Sequence, residues 1–409
     1  MHRTEGDNHS SNLFTDGPPG ATVEENWLNA VQEEICNVIT AASITLKTAA
    51  SETRDQLLTA LQALFIEKTE NIGKNVIING DMRIAQRGAS GGATFTAAST
   101  PANSDDTYLI DQWLLLSDGN DIVDVSQNAA APDGFLVSCA LDVETINKKF
   151  GILHPIEQKN CQHLVGETVS LSFWAKVSDA AKLDNIKAAI LSWNGVADTI
   201  TSDVISAWNA EDTNPTFAAN WTAENTPSNL GVTAVWTKFS IQNINIDTAN
   251  TKNLAVFIWN DGFCDTLETF LYITGVQLEK GSVASEYQWN SISKELIDCW
   301  RYYFKSYDLD VIPGTADDDG NVYLSLSGIA NSDHAIYVNA IFPITMRVAP
   351  TVTTYDGAGT SGKVTMAAGD NLAATVADIG FTRARVTGTN GAASTIRLIA
   401  FHYTAEAIL

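Results

Sequence analysis

Residues 169–177 read VSLSFWAKV. Val169, Leu171, Phe173, Ala175 and Val177 alternate with Ser170, Ser172, Trp174 and Lys176, the period of two that a half-buried β-strand imposes. Working outward, further strands are expected at Tyr108–Leu116, Trp236–Ile241, Leu254–Trp259 and Leu271–Leu278, separated by clusters of Gly, Asn, Asp and Ser. From Asn75 on, the pattern is that of a sandwich rather than of βαβ units. Trp174 lies opposite the plainly apolar face of its strand, which implies either a covered second face or a platform beside Ser172 and Lys176.

The chain has 409 residues, enough for about two to four domains. With 24 basic and 48 acidic residues its formal charge is -24, which argues against any role that neutralises phosphates, and so against nucleic acid as a partner. The acidity is spread over residues 1–73 (4 basic, 11 acidic), 74–306 (15 and 27) and 307–409 (5 and 10). An anionic glycan would need local cations or a bridging metal, and a neutral sugar face is the easier ligand. The five cysteines (Cys36, Cys139, Cys161, Cys264, Cys299) are odd in number and contain no C-x-x-C pair, so they read as small buried apolar residues folded under reducing conditions. MHRTEGDNHSSN at the start has no apolar signal-peptide core, and no run is long enough to span a membrane. The expectation is synthesis in a cytoplasm, no membrane insertion and no cofactor.

Residues 1–21 end in Asp16-Gly17-Pro18-Pro19-Gly20 and read as an arm or linker. Thr22-Val23-Glu24-Glu25 then fits a capping box, and Leu28, Val31, Ile35, Val38 and Ala42 follow at spacings of three and four. That stripe suits either another copy of the chain or a second helix near Arg54–Glu67 with Leu57, Leu58, Leu61 and Leu64. A short helix is expected near Ser293–Cys299, followed by β patterns at Val322–Ser327, Ala335–Phe342, Pro350–Thr354 and Thr395–Tyr403. The expected domains are therefore 1–73 (arm and helices), 74–292 (sandwich) and 293–409 (short helix and a small all-β domain).

Several motifs fail in context. Gly88-Ala89-Ser90-Gly91-Gly92 matches G-x-S-x-G, but no strand-to-helix turn surrounds it, so a loop is expected. Asp317-Asp318-Asp319-Gly320-Asn321 hints at a calcium loop, yet aligning Gly320 with the EF-hand glycine puts Thr315 and Leu326 where carboxylates are needed, and a turn before Val322 fits better. His154 and His163, near Cys161, have no metal-ligand spacing; His2, His9, His334 and His402 are isolated. No metal or catalytic residue is assigned, although Asp198, Asp203, Glu211 and Asp212 could supply a carboxylate pair for glycoside cleavage.

Tryptophan carries more. Eight of ten (Trp113, Trp174, Trp193, Trp208, Trp221, Trp236, Trp259, Trp289) fall in the expected sandwich. Trp113, Trp236 and Trp259 sit in strand patterns and fit a core. Ser192-Trp193-Asn194-Gly195, Trp208-Asn209 and Asn220-Trp221 look like loops in which an indole stacks on a sugar ring and an amide bonds its hydroxyls, though the same indoles could also plug a core. The candidate glycan ligands are thus Trp193, Asn194, Trp208, Asn209, Asn220, Trp221 and Trp174.

Two segments about two hundred residues apart bracket the sandwich: NVIINGDMRIAQRG (75–88) and VQLEKGSVASEYQWNSISKELIDCWRYYF (276–304). Together with YLIDQW (108–113), HPIEQ (154–158), VSLSFWAKVS (169–178), WTKFS (236–240) and VQLEKGSVAS (276–285), in that order, they resemble the carbohydrate-binding-module-like jelly roll of bacteriophage tail fibre and receptor-binding proteins. The resemblance covers about residues 75–306. VEENWLNAVQEEICNVITAASITL (23–46) is similar to the N-terminal region of such fibres, and FPITMRVAPTVT (342–353) to their distal domain. The resemblance implies a mainly β homotrimer in the tail of a virion, joined to tail or baseplate proteins through residues 1–73 and binding host cell-surface glycans without cleaving them. The alternatives are a polysaccharide depolymerase, which would need a carboxylate pair in a cleft, and a spacer with no ligand, in which Trp193, Trp208 and Trp221 would be buried.

Overall fold

Thr168–Val177 forms the strand that the alternation predicts, and Val169, Leu171, Phe173, Ala175 and Val177 all enter one hydrophobic core. The structure is a computed structural model that describes residues 9–10, 13–14, 25–42, 44, 56–61, 75–200, 203–330, 333–367, 371–391 and 394–409. It divides into two units, Met1–Lys74 and Asn75–Leu409.

In the first unit, Glu25–Ala41 is helical, as are residues 56–61, and His9–Ser10 pairs with Leu13–Phe14. Of the expected stripe, Val31, Val38 and Ala42 are half-buried and Ile35 is exposed, whereas among the described residues the buried positions are Ile39 and Ala60. The side chain of Leu28, Thr22 to Glu24 of the capping box, the 16–20 turn and the ends of the expected second helix lie outside the described residues. Among the described residues, no helix is long and apolar enough to cross a membrane.

The second unit is mainly β. Sheet I runs Trp221–Ala223, Ile186–Trp193, Asn253–Asn260, Phe150–Ile156, Leu114–Ser117, Thr107–Tyr108; sheet II runs Thr237–Asn245, Thr168–Val177, Phe270–Lys280, Ser138–Val143, Val123–Asn128, Thr94–Phe95. Every pairing is antiparallel, and from Ser138–Val143 to Phe270–Lys280 the long strands alternate between the sheets, the connectivity of a jelly roll. The inner faces of both sheets share one core, with Ile152, Ile190, Val256 and Ile258 from sheet I against Leu141, Leu171, Phe173 and Ile273 from sheet II. The strand expected over Tyr108–Leu116 is broken in two by a turn, where Leu109 N donates to Trp113 O and Gln112 takes φ 71°.

Sheet I is also covered on its outer face. There Leu191, Trp193, Trp221, Phe257 and Trp259 form a second apolar cluster, closed by Val204, Ile205, Trp208 and Phe217 from the hairpin Ile205–Ala207/Thr216–Phe217 and its flanks. A sheet dry on both faces must pair its charges. Fully buried Lys149 donates to Asp261 Oδ1 at 2.9 Å and to the carbonyls of Ala210 and Thr213 at 2.8 Å; Lys187 donates to Asp261 Oδ2 and to Asn214 Oδ1 at 2.7 Å. The triad thereby fastens the covering hairpin to the sheet.

The two bracketing segments meet. Val76 N donates to Leu278 O and Val276 N to Gly80 O, and a Cβ at Gly80 would lie 2.2 Å from Val276 O, so only glycine fits. Asn79 is the hub: its side chain bonds Ile84 and Asp111 O, its N–H reaches Glu295 Oε2 at 2.8 Å, and its carbonyl accepts from Trp113 Nε1. The same segment reaches the C-terminal strands: Gln86 joins Asp111 to the Tyr303 carbonyl, and Arg87 pairs with Glu406 at 2.6 Å with its guanidinium 4.0 Å over the Tyr303 ring. From the other side Arg301 and Tyr302 both bond Glu157. The helix Ile292–Trp300 lies between these contacts, capped by Ser291.

Beyond it, Ser394–Glu406 pairs along its length with Val322–Ala330, Lys363–Met366, Thr351–Tyr355 and Tyr303–Lys305. A three-stranded sheet of Ala335–Ile341, Arg383–Thr389 and Thr375–Ala377 packs Ile336, Ala340 and Val386 into the same core as Ile399 and Phe401.

Replacing Asp261 with alanine would strand two buried ammonium groups. The expected cost is about 3–5 kcal/mol, read from urea unfolding of Asp261→Ala; a loss under about 1 kcal/mol would mean that Lys149 reaches water.

Candidate functional site

Strand register sets what shares the outer face of sheet II. Lys176 stands opposite Tyr272, Tyr272 opposite Ala140, and Ala140 opposite Ser126, while Trp236 continues the Thr237–Ala175 pairing and arrives beside Lys176. The Lys176 ammonium lies 5.2 Å from the Trp236 ring centre and 4.8 Å from that of Tyr272, a cation–π sandwich that fixes both rings. Phe270 stacks on Tyr272 at 5.6 Å and 16°. Trp174, opposite Thr274 and Lys238, extends the row. All four aromatics are half-buried, and their neighbours on this face are small or polar: Ser126, Ala140, Ser172 and Thr274. The result is an aromatic ridge on a rigid sheet.

A β-bulge between Thr274 and Gln277 bends this face, with Gly275 at φ +63°. A Cβ at Gly275 would lie 2.6 Å from the Phe135 ring and 3.1 Å from Trp174 Cδ1, so the glycine lets Phe135 close against the sheet. Phe135 in turn packs on Trp289 at 4.6 Å and on Tyr287 at 5.2 Å, and Trp289 is 52% exposed.

At the other end, Asp142 stands opposite both Phe270 and Asp124. Oxygens of Asp142, Glu144 and Glu268 lie within 4.8 Å of one another, a set of hard donors able to hold a cation such as calcium. Burial, then Glu268, Glu144 and Asp124, push the Asp142 carboxyl up to about 7. One of its oxygens, Oδ1, has no hydrogen-bond partner.

The sequence candidates are distributed differently. Trp193 and Trp221, expected on loops, are directly paired strand residues with rings 5.2 Å apart, only 4% and 5% exposed; a strand pair sealed by the 204–218 segment does not offer its indoles to a ligand. Trp193 Nε1 is spent on Val196 O. Trp208 is half-buried beside Phe257, and Asn209 bonds Asn214 O and Thr216 within its own hairpin. Asn194 and Asn220 are exposed and joined through the backbone. Trp174 alone of the seven lies on the ridge. Trp113 and Trp259 are core residues as expected, but Trp236 is not: it lies on the outer face. Trp236, Phe270 and Tyr272 were missed as a group, although Phe270 and Tyr272 alternate with Leu271 and Ile273, a signal of a second aromatic face.

The remaining candidates have structural partners. Asp198 Oδ1 accepts from Gln158 N and Asn253 Nδ2, Glu211 from Phe263 N, and Asp212 from Asn185 Nδ2. Ser90 Oγ accepts from Ala85 N in a turn that no helix follows. Asp317 caps Asp319 N just before Val322. Burial beside Trp113 and Ile78 holds the His154 ring at about 4, below the usual range. The cysteines are free; Cys36 is half-buried and the other four are buried.

No protein-family model matches the chain. No curated protein matches it. Among solved structures it is similar to the enzymatically active domain of tailspike protein 4 of bacteriophage CBA120 (TM-score 0.31, 14% identity), covering 51% of this chain and 21% of that one. It is also similar to a CBM4 structure (TM-score 0.28, 15% identity, 50% of this chain and 99% of that one). A third is the C-terminal family 22 carbohydrate-binding module of Clostridium thermocellum Xyn10B (TM-score 0.28, 12% identity, 44% and 94%). Likenesses at these TM-scores carry no argument, and the fold stands on the strands described above.

The acidic end of the ridge sets a pH dependence. Between its ordinary 3.8 and about 7, Asp142 keeps in the folded state a proton that the unfolded chain releases, so its contribution to stability falls as pH rises across that window. With chelator present, the thermal midpoint of Asp142→Asn should gain on wild type from pH 4 to pH 7; parallel curves would show that the carboxyl is not perturbed.

Proposed function

We propose that this chain is an adhesive, glycan-binding protein of a phage-like particle, a tail fibre component that recognises host surface sugars without cleaving them. The observation that carries the binding part is the half-buried ridge of Trp174, Trp236, Phe270 and Tyr272 on the outer face of sheet II. Aromatic faces stack on the C–H faces of sugar rings, and rings already fixed by Lys176 and by each other lose little entropy on binding. Neighbouring Lys238, Asp124 and Asp142, each half-buried, supply partners for hydroxyls. The particle part is supported by the ordered resemblance over residues 75–306 and by the segment 23–46. In this reading residues 1–73 join tail or baseplate proteins, and the chain self-associates as a homotrimer.

A second reading has its own observation. A carboxyl held near 7 beside two further carboxylates, at the end of an aromatic ridge, is an arrangement suited to general-acid catalysis of glycoside cleavage. That is the depolymerase.

The test is one experiment with two readouts: the full chain is incubated with a panel of bacterial envelope glycans, and retained protein and released reducing ends are recorded together. Retention without release is expected. Trp236→Ala and Trp174→Ala should each weaken retention about tenfold, the loss of roughly 1.4 kcal/mol of stacking. Unchanged retention in both variants would remove the ridge from the binding face; release abolished by Asp142→Asn would make the protein an enzyme.

A further inference from the structure

Beneath the hairpin that covers sheet I, the buried triad holds one charge too many. Lys149, Lys187 and Asp261 are all buried, so two ammonium groups share one carboxylate, and a dry site makes the surplus positive charge costly. The acids nearby do not supply the missing partner: Glu211 and Asp212 are exposed and accept from Phe263 N and Asn185 Nδ2. The two lysines differ in what they find. Lys149 has three acceptors, Asp261 Oδ1 and the carbonyls of Ala210 and Thr213, one for each ammonium hydrogen. Lys187 has two among the described residues, Asp261 Oδ2 and Asn214 Oδ1, both at 2.7 Å, so one hydrogen of its ammonium is left over.

Asn214 presents an electrophile to this nitrogen. A carbonyl oxygen that accepts at 2.7 Å holds its carbon about 3.5 Å from the donor, at the edge of the near-attack range. Asp261 Oδ1 is filled by Lys149 and Trp259 Nε1, whereas Oδ2 accepts from Lys187 only and has a lone pair free for a proton. Lys187 stands opposite Trp259 in the strand register, and Trp259 stacks on Phe257 at 4.7 Å, an apolar wall that excludes competing water. Asn214 is followed by Pro215, which has no N–H, so the side chain cannot close on the next backbone nitrogen instead.

We propose that Lys187 and Asn214 join in an isopeptide bond made by the chain itself, with Asp261 as the proton carrier. Asp261 Oδ2 takes a proton from the Lys187 ammonium, and the freed lone pair of Nζ attacks Cγ of Asn214. The tetrahedral carbon then breaks its bond to Nδ2. A second proton leaves Nζ through Asp261, and Nδ2 departs as ammonium with both, so the carboxylate is restored. Nζ and Cγ end as a secondary amide, and the surplus charge escapes past Asn214, which is only half-buried. The bond ties the loop of the covering hairpin Ile205–Ala207/Thr216–Phe217 to the strand Ile186–Trp193, so the cover cannot peel away. It needs nothing from the glycan reading.

Intact mass spectrometry of the denatured full chain tests it. Wild type should weigh one ammonia less than its sequence, and trypsin should leave Lys187 uncut in a branched species that holds the peptides of Lys187 and Asn214. Asn214→Ala, which keeps both ion pairs to Asp261, should show its full sequence mass and melt at a lower temperature than wild type. A wild-type chain of full sequence mass overturns the inference. So does cleavage at Lys187, ammonia lost from another asparagine, or a link from either lysine to Asp261, which would release water instead. Ammonia loss that persists in Asp261→Ala would overturn the role given to Asp261. Because a variant that fails to fold would also leave the bond unmade, the wild-type mass and digest decide.

Discussion

The dryness of sheet I on both faces is the constraint from which the rest follows. Every residue of Ile186–Trp193 and of Asn253–Asn260 is buried. Water therefore cannot solvate Lys149, Lys187 or Asp261, and each must find its partners inside. The partners include carbonyls of the hairpin that covers the sheet, so cover and charge pairing depend on each other. With sheet I closed, the aromatic side chains that the two sheets leave half-buried rather than buried cluster on the outer face of sheet II.

The same constraint explains what could be read from the sequence. VSLSFWAKV was legible because one of its faces is partly wet and alternation survives. Ile186–Trp193, IKAAILSW, has both faces buried, so no period of two remains, and its last residues pass for a loop because Asn194 and Gly195 follow. That single misreading also displaced the candidate site: Trp193 looked like the start of a loop when it is the end of a central strand. The ridge was legible only at Trp174. Trp236, Phe270 and Tyr272 join it through cross-strand register, which pairs residues far apart in the chain and which no local pattern states. The fold class needed only local alternation and turn chemistry, whereas the site needed the pairing.

The polar contacts around Asn79 and Arg87 do different work from the cores. Burying Arg87, Asp111 and Gln86 between the sandwich and the C-terminal strands gains little net stability over an apolar contact, because desolvation offsets most of the pairing. What such contacts add is orientation: an apolar seam tolerates sliding, but Gln86 bridging Asp111 to Tyr303 O, and Arg301 bridging to Glu157, fit one arrangement. Asn75–Leu409 is accordingly one unit despite its separate hydrophobic clusters. The sequence marks this seam by the two segments that bracket the sandwich.

That rigidity bears on how weak sugar contacts can serve adhesion. A ridge of four aromatics without a deep pocket offers stacking of about 1 kcal/mol per ring, which for one copy means fast release. In the proposed homotrimer each ridge is held at a fixed position within its own Asn75–Leu409 unit by the polar seam, and second and third contacts become intramolecular. The gain then depends on effective concentration, which is large only when the spacing of ridges matches that of the sugars. A flexible join would spread the ridges over many spacings and lose most of that gain. An oriented seam with little net stability of its own is therefore what the proposed multivalent recognition would require.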